Sequence, residues 1–267
     1  MIHTMWAQAS DGVLAGARTA GDGEDAIVFV HGVGSTAAIW DRQLRHFGDA
    51  YRTFAIELRG NGVARPEPMP ELITRNGFVK DVLAIVDAAR VRRFHFVGCS
   101  LGGVVGFELW KRFPERVRSF AFVGSFAAYP DARQYAAGVR DAVLASGDMT
   151  AFARERASKL GLPPHRTAET VAQMACKSVE SYLASTEATW TGDYRPILKD
   201  ISVPSLVLVG EHDRVAPPAL SREIVAGIPG ARLEVLHGAG HVSNADEPQA
   251  FDAALRSFYD EIRSGKL

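Results

Sequence analysis

The chain has 267 residues, of which 47% are hydrophobic, enough for one large α/β domain or two small ones with a sizeable core. Its formal net charge is −1, so no overall field draws it to nucleic acid or to an anionic membrane. No apolar run is long enough to span a membrane, no leader pattern opens the chain, and its two cysteines do not suggest a disulfide framework. We therefore expect a cytoplasmic protein without nucleic-acid or membrane partners.

The predicted elements alternate between apolar strands and amphipathic helices. An antiparallel hairpin is predicted over about residues 5–18, and Ala26 to Val30 form a β-branched run typical of a strand buried on both faces. Further strands are predicted at 51–56, 94–97, 118–124, 203–209 and 231–236, and helices at 37–47, 72–91, 101–114, 220–228 and 248–262. Such alternation implies right-handed crossovers and therefore a parallel sheet with helices on both faces.

One long stretch, from about residue 127 to residue 195, interrupts this alternation. It has helical patterns at 135–145, 150–160 and 167–188 and no strand pattern. It is too long for a structureless loop inside a compact domain. We predict a helical lid, 127–195, inserted after the sixth strand of a core made of 1–126 and 196–267.

The pentapeptide Gly-Cys-Ser-Leu-Gly at residues 98–102 follows an apolar strand and opens a helix. A Gly-x-Ser-x-Gly run in that context is a nucleophile elbow, a tight turn that raises the serine hydroxyl to the carboxyl edge of the sheet. Ser100 is therefore the candidate nucleophile. The neighbouring Cys99 is predicted to point away from the site into the packing.

A serine hydroxyl needs a positioned base, and the base needs a carboxylate that holds its tautomer. His241 lies in a glycine-lined loop after the last predicted strand, and Asp213 directly follows the strand before it. The order Ser100, Asp213, His241 is the one expected for a nucleophile-elbow fold. Glu211 and Asp131 remain alternative carboxylates.

An oxyanion needs two N–H donors in such a site. The first is the backbone N–H of Leu101, at the start of the helix after the elbow. The second is expected from the glycine-rich loop at 31–34, from Val33 or alternatively from Gly34.

These motifs resemble those of the α/β-hydrolase superfamily over essentially the whole chain. The matching runs are His31-Gly32, Arg59-Gly60-Asn61-Gly62, Gly98 to Gly103, Gly210 to Asp213 and Gly240-His241. The resemblance implies an α/β-hydrolase fold, with a mostly parallel eight-stranded sheet, helices on both faces and a lid after strand six. It also implies a triad of Ser100, His241 and Asp213. Many members continue Arg-Gly-His-Gly-x-Ser, so Asn61 and Ala64 imply different local hydrogen bonds here.

Within the superfamily the chain is similar to the lid-bearing serine esterases and lactonases, a group that includes 3-oxoadipate enol-lactonase-like hydrolases. Serine at the elbow argues against haloalkane dehalogenases and epoxide hydrolases, which use aspartate there. The substrate is expected between the elbow and the lid. The candidate contacts are mostly apolar or aromatic: Trp40, Phe126, Tyr129, Trp190, Val215 and Val242. Arg133 and Arg195 could bind a substrate carboxylate or lie paired on the surface.

The sequence thus predicts a serine hydrolase of a small ester or lactone, without cofactor or metal. Two alternatives share this machinery: a carbon–carbon bond hydrolase of aromatic ring-fission products, and a ligand receptor built on a slow hydrolase. A cofactor-free oxygenase or a perhydrolase-like activity is a third. Nothing in the sequence sets the oligomeric state.

Overall fold

A computed structural model describes residues 1–61, 69–159 and 164–267. Its centre is an eight-stranded sheet with the strand order β1-β2-β4-β3-β5-β6-β7-β8. The strands are β1 His3–Gln8, β2 Leu14–Ala20, β3 Ala26–Val30, β4 Arg52–Glu57, β5 Phe94–Cys99, β6 Val117–Val123, β7 Ser205–Gly210 and β8 Arg232–Leu236.

The sheet is antiparallel only at one edge. β1 pairs with β2, and β2 with β4, in antiparallel register, which confirms the predicted hairpin. From β4 to β8 all neighbouring strands are parallel. Since parallel strands end at the same edge, the loops after β3, β5, β7 and β8 meet there.

Ten helices occur in the described residues. They are α1 Asp41–Phe47, α2 Arg75–Ala88, α3 Leu101–Arg112, α4 Ala132–Ala145, α5 Met149–Lys159, α6 Pro164–Ala175, α7 Val179–Trp190, α8 Pro218–Gly227, α9 Ser243–Asp246 and α10 Pro248–Arg263. Short 3₁₀ turns lie at Ala37–Trp40, Pro70–Leu72, Pro114–Arg116 and Arg195–Asp200.

The sheet is covered on both faces, as the sequence predicts. Successive residues of β3 point to opposite sides: Val28 belongs to the apolar cluster on the face covered by α2, α3 and α8, whereas Phe29 belongs to the cluster on the face covered by α1 and α10. Every residue of β3 is buried, which explains the continuous apolar run in place of strict alternation.

The loop after β4 is anchored by a buried cation. The Arg59 guanidinium lies 2.7 Å from Asp81 and 2.7 Å from Asp11, and it also donates to the carbonyl of Leu72. Burial alone would raise the pKa of Asp11, but the hydrogen bond and charge of Arg59 lower it to about 2. This pairing holds the start of the segment that carries Asn61. Gly62, Val63 and Ala64, at the end of the same motif, lie outside the described residues.

Helices α4 to α7 follow β6 and precede β7, and they contain a small apolar core of their own that includes Val143, Phe152 and Tyr182. The prediction of one helix over 167–188 is wrong, because α6 and α7 are separate. Ser178 caps α7 by accepting a hydrogen bond from the N–H of Ser181 at 3.1 Å. The four-residue helix α9 is also absent from the predicted elements, since it is too short to have a recognisable period.

Candidate active site

The turn between β5 and α3 holds Ser100 in a strained conformation. Its φ is 53° and its ψ is −112°, a backbone conformation that residues other than glycine rarely adopt. A Cβ on Gly98 would collide with the backbone of Gly102, and a Cβ on Gly102 would collide with the carbonyl of Val30. The N–H of Ser100 donates to the carbonyl of Val123 at 2.9 Å. The turn therefore depends on both glycines and is pinned to the neighbouring strand.

His241 and Asp213 are brought together by the loops after β8 and β7. His241 Nδ1 lies 2.8 Å from Asp213 Oδ2. The other carboxylate oxygen, Oδ1, accepts the N–H groups of Val215 and Ala216, both at 2.9 Å. Because the ionised carboxylate only accepts, Nδ1 of His241 carries the hydrogen and Nε2 is left as the basic nitrogen.

Gly124, directly after β6, makes room for this pair. Its φ is +48°, and a Cβ there would lie 3.0 Å from Asp213 Oδ2 and 3.2 Å from His241 Nδ1. A side chain at this position would press against the Asp–His hydrogen bond. Glycine is thus favoured here by both backbone and space.

The alternative carboxylates do not contact His241. Glu211 lies at the surface, where it accepts the N–H of Gly238 and faces His237. Asp131 is exposed at the start of α4. The geometry therefore favours Asp213 as the partner of His241.

Neither expected oxyanion donor, the N–H of Leu101 or the N–H of Val33, has a hydrogen-bond acceptor among the described residues. Leu101 is the first residue of α3, where a backbone N–H has no acceptor within the helix. Gly34, the alternative to Val33, donates its N–H to Asn61 Oδ1 at 3.2 Å. No acceptor for the N–H of Val33 occurs among the described residues, so Val33 is the better candidate.

His31 supports this loop from below. It is fully buried, and its Nε2 accepts the N–H of Leu58 at 3.2 Å. Nδ1 therefore carries the hydrogen and donates to the carbonyl of Gly32 at 2.8 Å. His31 thus acts as a structural bridge between the loops after β3 and β4, and its Nε2 also lies 3.4 Å from Glu57 Oε1.

A second group of contacts ties the same loop to the inserted helices. Asn61 Nδ2 donates to Ser185 Oγ at 2.8 Å, and Ser35 Oγ donates to Gln173 Oε1 at 3.0 Å. The buried ammonium of Lys177 donates to the carbonyls of Ser35 and Asn61. Burial lowers the pKa of Lys177 to about 8. Asn61, the departure from the histidine common at this position, thus lies at the centre of the contacts between core and insertion.

Ser100 and His241 line one cavity of about 80 Å³ between the sheet edge and the insertion. Ser100 is only 2% exposed. The other lining residues are Gly32, Val33, Gly34, Ser35, Ile39, Cys99, Arg156, Arg166, Thr170, Gln173, Met174, Trp190, Val215 and Val242. Three of the predicted substrate contacts, Trp190, Val215 and Val242, are thus in the wall.

The other predicted contacts lie elsewhere. Trp40 is 0% exposed and packs against Phe29 and Phe251 on the opposite face of the sheet, so its expected place in the cavity wall is wrong. Phe126 stacks behind Trp190 at a centroid separation of 5.1 Å. Tyr129 also packs on Trp190, and its hydroxyl donates to the carbonyl of Val215, so these two rings support the wall.

The arginines in the cavity are not the two considered from the sequence. Arg133 is exposed, and Arg195 is paired with Asp193 at the surface. Arg156 on α5 and Arg166 on α6 line the cavity instead. No sequence motif marks them, because their position depends on how the inserted helices fold over the sheet.

Cys99 belongs to the buried core, and burial raises the pKa of its thiol to about 12. It is therefore a neutral thiol at physiological pH.

A wider groove of about 1230 Å³ lies at the amino ends of the strands, lined mainly by charged residues. Among the described residues in its wall there is no serine, cysteine or histidine, so the smaller cavity is the candidate active site.

Comparison with known proteins agrees with this architecture. The family model for the alpha/beta hydrolase fold matches residues 25–248. The 3-oxoadipate enol-lactonase 2 of Acinetobacter baylyi is 30% identical over 238 residues, which cover 87% of each chain. A protein of Azorhizobium caulinodans named for carbamate hydrolysis is 29% identical, covering 88% of this chain and 91% of its own.

A crystal structure of a hydrolase from Pseudomonas aeruginosa PA01 is 31% identical. Its TM-score is 0.86, and the match covers 96% of this chain and 98% of the other. In the part of the chain that the structure describes, no group of three metal-ligating side chains is assembled, and no helix is long and apolar enough to cross a membrane.

Asn61→Ala should slow covalent labelling of Ser100 by a fluorophosphonate by roughly tenfold. The variant removes the hydrogen bond from the N–H of Gly34 to Asn61, which holds the loop that carries Val33. The loss should be smaller than the hundredfold or more that follows direct removal of an oxyanion donor. The second-order labelling rate constant measures it.

Ser185→Ala is the matched control, because it removes the contact of Asn61 with α7 but leaves the one with Gly34. Its labelling should slow less than that of Asn61→Ala. Equal rates for Asn61→Ala and the unmodified protein would mean that Asn61 does not hold the oxyanion loop.

Proposed function

Because this chain belongs to the α/β-hydrolase family, we propose that it is a serine hydrolase that cleaves a carboxylic ester or a lactone through an acyl-enzyme. One observation carries the proposal. His241, which makes a 2.8 Å hydrogen bond with Asp213, lines the same cavity as Ser100 at its strained turn. A nucleophile, a base and a carboxylate that orients the base are the parts that acyl transfer requires.

In the proposed reaction His241 Nε2 takes the proton of Ser100 as Oγ attacks the carbonyl carbon. The N–H groups of Val33 and Leu101 stabilise the negative charge on the carbonyl oxygen. The imidazolium, stabilised by Asp213, then protonates the leaving alcohol. Water enters, His241 accepts its proton, and the acyl group is released as the acid.

Sequence similarity to an enol-lactonase supports an ester or lactone as the substrate. A relative named as an enol-lactonase is 30% identical across 87% of this chain, and its ring-opening reaction is hydrolysis of an internal ester. We further propose that helices α4 to α7 act as a lid. Ser100 is nearly inaccessible beneath them, so substrate access requires the insertion to move.

Ser100→Ala should lower kcat on p-nitrophenyl acetate by roughly three orders of magnitude or more, because the nucleophile is gone. Asp213→Asn should lower kcat by a comparable amount, since the histidine loses its oriented tautomer. Steady-state release of p-nitrophenol measures both, with circular dichroism to establish that each variant is folded.

Glu211→Gln is the matched control for the carboxylate. It neutralises an acid only two residues away that does not contact His241, so kcat should stay within about threefold. A large loss in Glu211→Gln with little loss in Asp213→Asn would reverse the assignment. Full activity in Ser100→Ala would contradict the serine mechanism.

The cavity volume predicts a preference for short acyl groups. At about 80 Å³ it is well below the 300–1,000 Å³ usual for ligand sites. In a series of p-nitrophenyl esters from acetate to octanoate, kcat/KM should therefore peak at acetate or propionate. A peak at octanoate would show that the cavity wall yields readily to longer chains.

Met174→Ala tests which part of the wall sets this limit. Met174 lines the cavity and is 4% exposed, and its side chain packs at Gly34. Removing it should move the preferred acyl chain two or more carbons longer, because the space it leaves is added to the cavity that Ser100 lines. An unchanged chain-length profile would assign the limit to another residue.

A further inference from the structure

The cavity wall has an unbalanced positive charge. Of its lining residues, Arg156 and Arg166 are cationic, and none of those described is a carboxylate. Apart from His241, the other residues of the wall have apolar or uncharged side chains or, like Gly32 and Gly34, no side chain. Charges with little access to water are costly unless an opposite charge satisfies them.

Arg156 is the clearer case. Its side chain hydrogen-bonds to Tyr135 and lies within electrostatic range of the phenols of Tyr182 and Tyr129, and it forms no ion pair with any carboxylate of the described residues. Burial raises the pKa of Tyr182 and of Tyr129, so these phenols stay neutral at physiological pH. They can accept hydrogen bonds from the guanidinium but do not neutralise it.

Arg166 adds a second donor. It is 8% exposed and holds Glu169 through Nη1 at 2.6 Å. Its Nε is buried and has no hydrogen-bond partner among the residues that the structure describes. Asp246 is the other nearby carboxylate, and its own oxygen accepts the N–H of Gly240 next to His241. One donor of Arg166 therefore remains unsatisfied beside the cavity.

We propose that the substrate carries a carboxylate in addition to the scissile ester or lactone, and that Arg156 binds it with Arg166 Nε as a further donor. The proposal rests on the serine hydrolase function proposed above. A guanidinium presents a planar pair of donors that matches the two oxygens of a carboxylate. Both arginines lie on the insertion, whereas the nucleophile lies on the sheet edge, so the anion would be held across the cavity from Ser100.

The test compares two esters of one acid: monomethyl glutarate, which is an anion at pH 7.5, and dimethyl glutarate, which is neutral. Proton release at constant pH gives kcat/KM for each. For the unmodified protein the ratio of the charged to the neutral ester should be about ten or more. In Arg156→Gln the ratio should fall to about one, and Arg156→Lys should keep part of it because the charge remains.

Arg140→Gln is the matched control. Arg140 lies on α4 of the same insertion, but its side chain is 58% exposed and pairs with Asp141. Its ratio should equal that of the unmodified protein. A ratio of one or less in the unmodified protein, or a ratio that survives Arg156→Gln, would overturn the proposal.

A binding measurement separates this proposal from the proposed function. Glutarate should raise the Tm of Ser100→Ala and should raise it much less when Arg156→Gln is added. If neither ester is hydrolysed and the fluorophosphonate leaves Ser100 unlabelled, the serine hydrolase function fails, yet this shift still supports an anion site. Equal Tm shifts in both variants would overturn the anion site alone.

Discussion

The candidate site depends on the conformation of one residue. Ser100 has a positive φ, which costs about 1–3 kcal/mol and persists only where the surroundings over-determine it. Here the surroundings are the glycine backbones on either side, the strand hydrogen bond to Val123 and the hydroxyl of Ser125, which donates to the carbonyl of Ser100 at 3.0 Å. The same turn starts α3, so it holds both the candidate nucleophile and the N–H of Leu101 in one rigid unit.

The second half of the proposed oxyanion site, the loop that carries Val33, is built in the opposite way. The loop carrying Val33 has no regular structure, and it is fixed by side chains from three directions. His31 holds it from the core, Asn61 from the neighbouring loop, and Lys177 from the inserted helices. A loop held partly by the insertion links the catalytic geometry to the position of the helices above it. Any motion that admits substrate also affects the contacts at Ser35 and Asn61.

The sequence predicts the fold well because the signals for its strands and helices are local, and the candidate catalytic residues, which stay predictions, are marked by equally local signals. The elbow at Ser100, the acid after β7 and the histidine after β8 each follow a buried strand, and parallel strands bring their carboxyl ends together. The confirmed features, the sheet and its antiparallel hairpin, follow from periodicity in the same way. Trp40 shows where prediction from local signals fails. It lies only a few residues after the loop that carries Val33, yet the short 3₁₀ turn that holds it directs its ring into the core beside Phe29 and Phe251, away from the cavity.

The cavity wall could not be predicted, because it is made by tertiary packing of the insertion. A helix period shows which residues of α5 and α6 can share a face, but not which face turns towards Ser100. Arg156 and Arg166 resemble any surface arginines in the sequence, and only the packed helices reveal that both line the cavity and that Arg156 has no ion pair among the described residues. In the proposed function the core would supply the groups for acyl transfer, and the insertion would supply the charges that select among substrates. If Arg156 and Arg166 bind a substrate carboxylate as proposed, a change of substrate would require changes in α5 and α6, while the turn at Ser100 and the Asp213–His241 pair stay as they are.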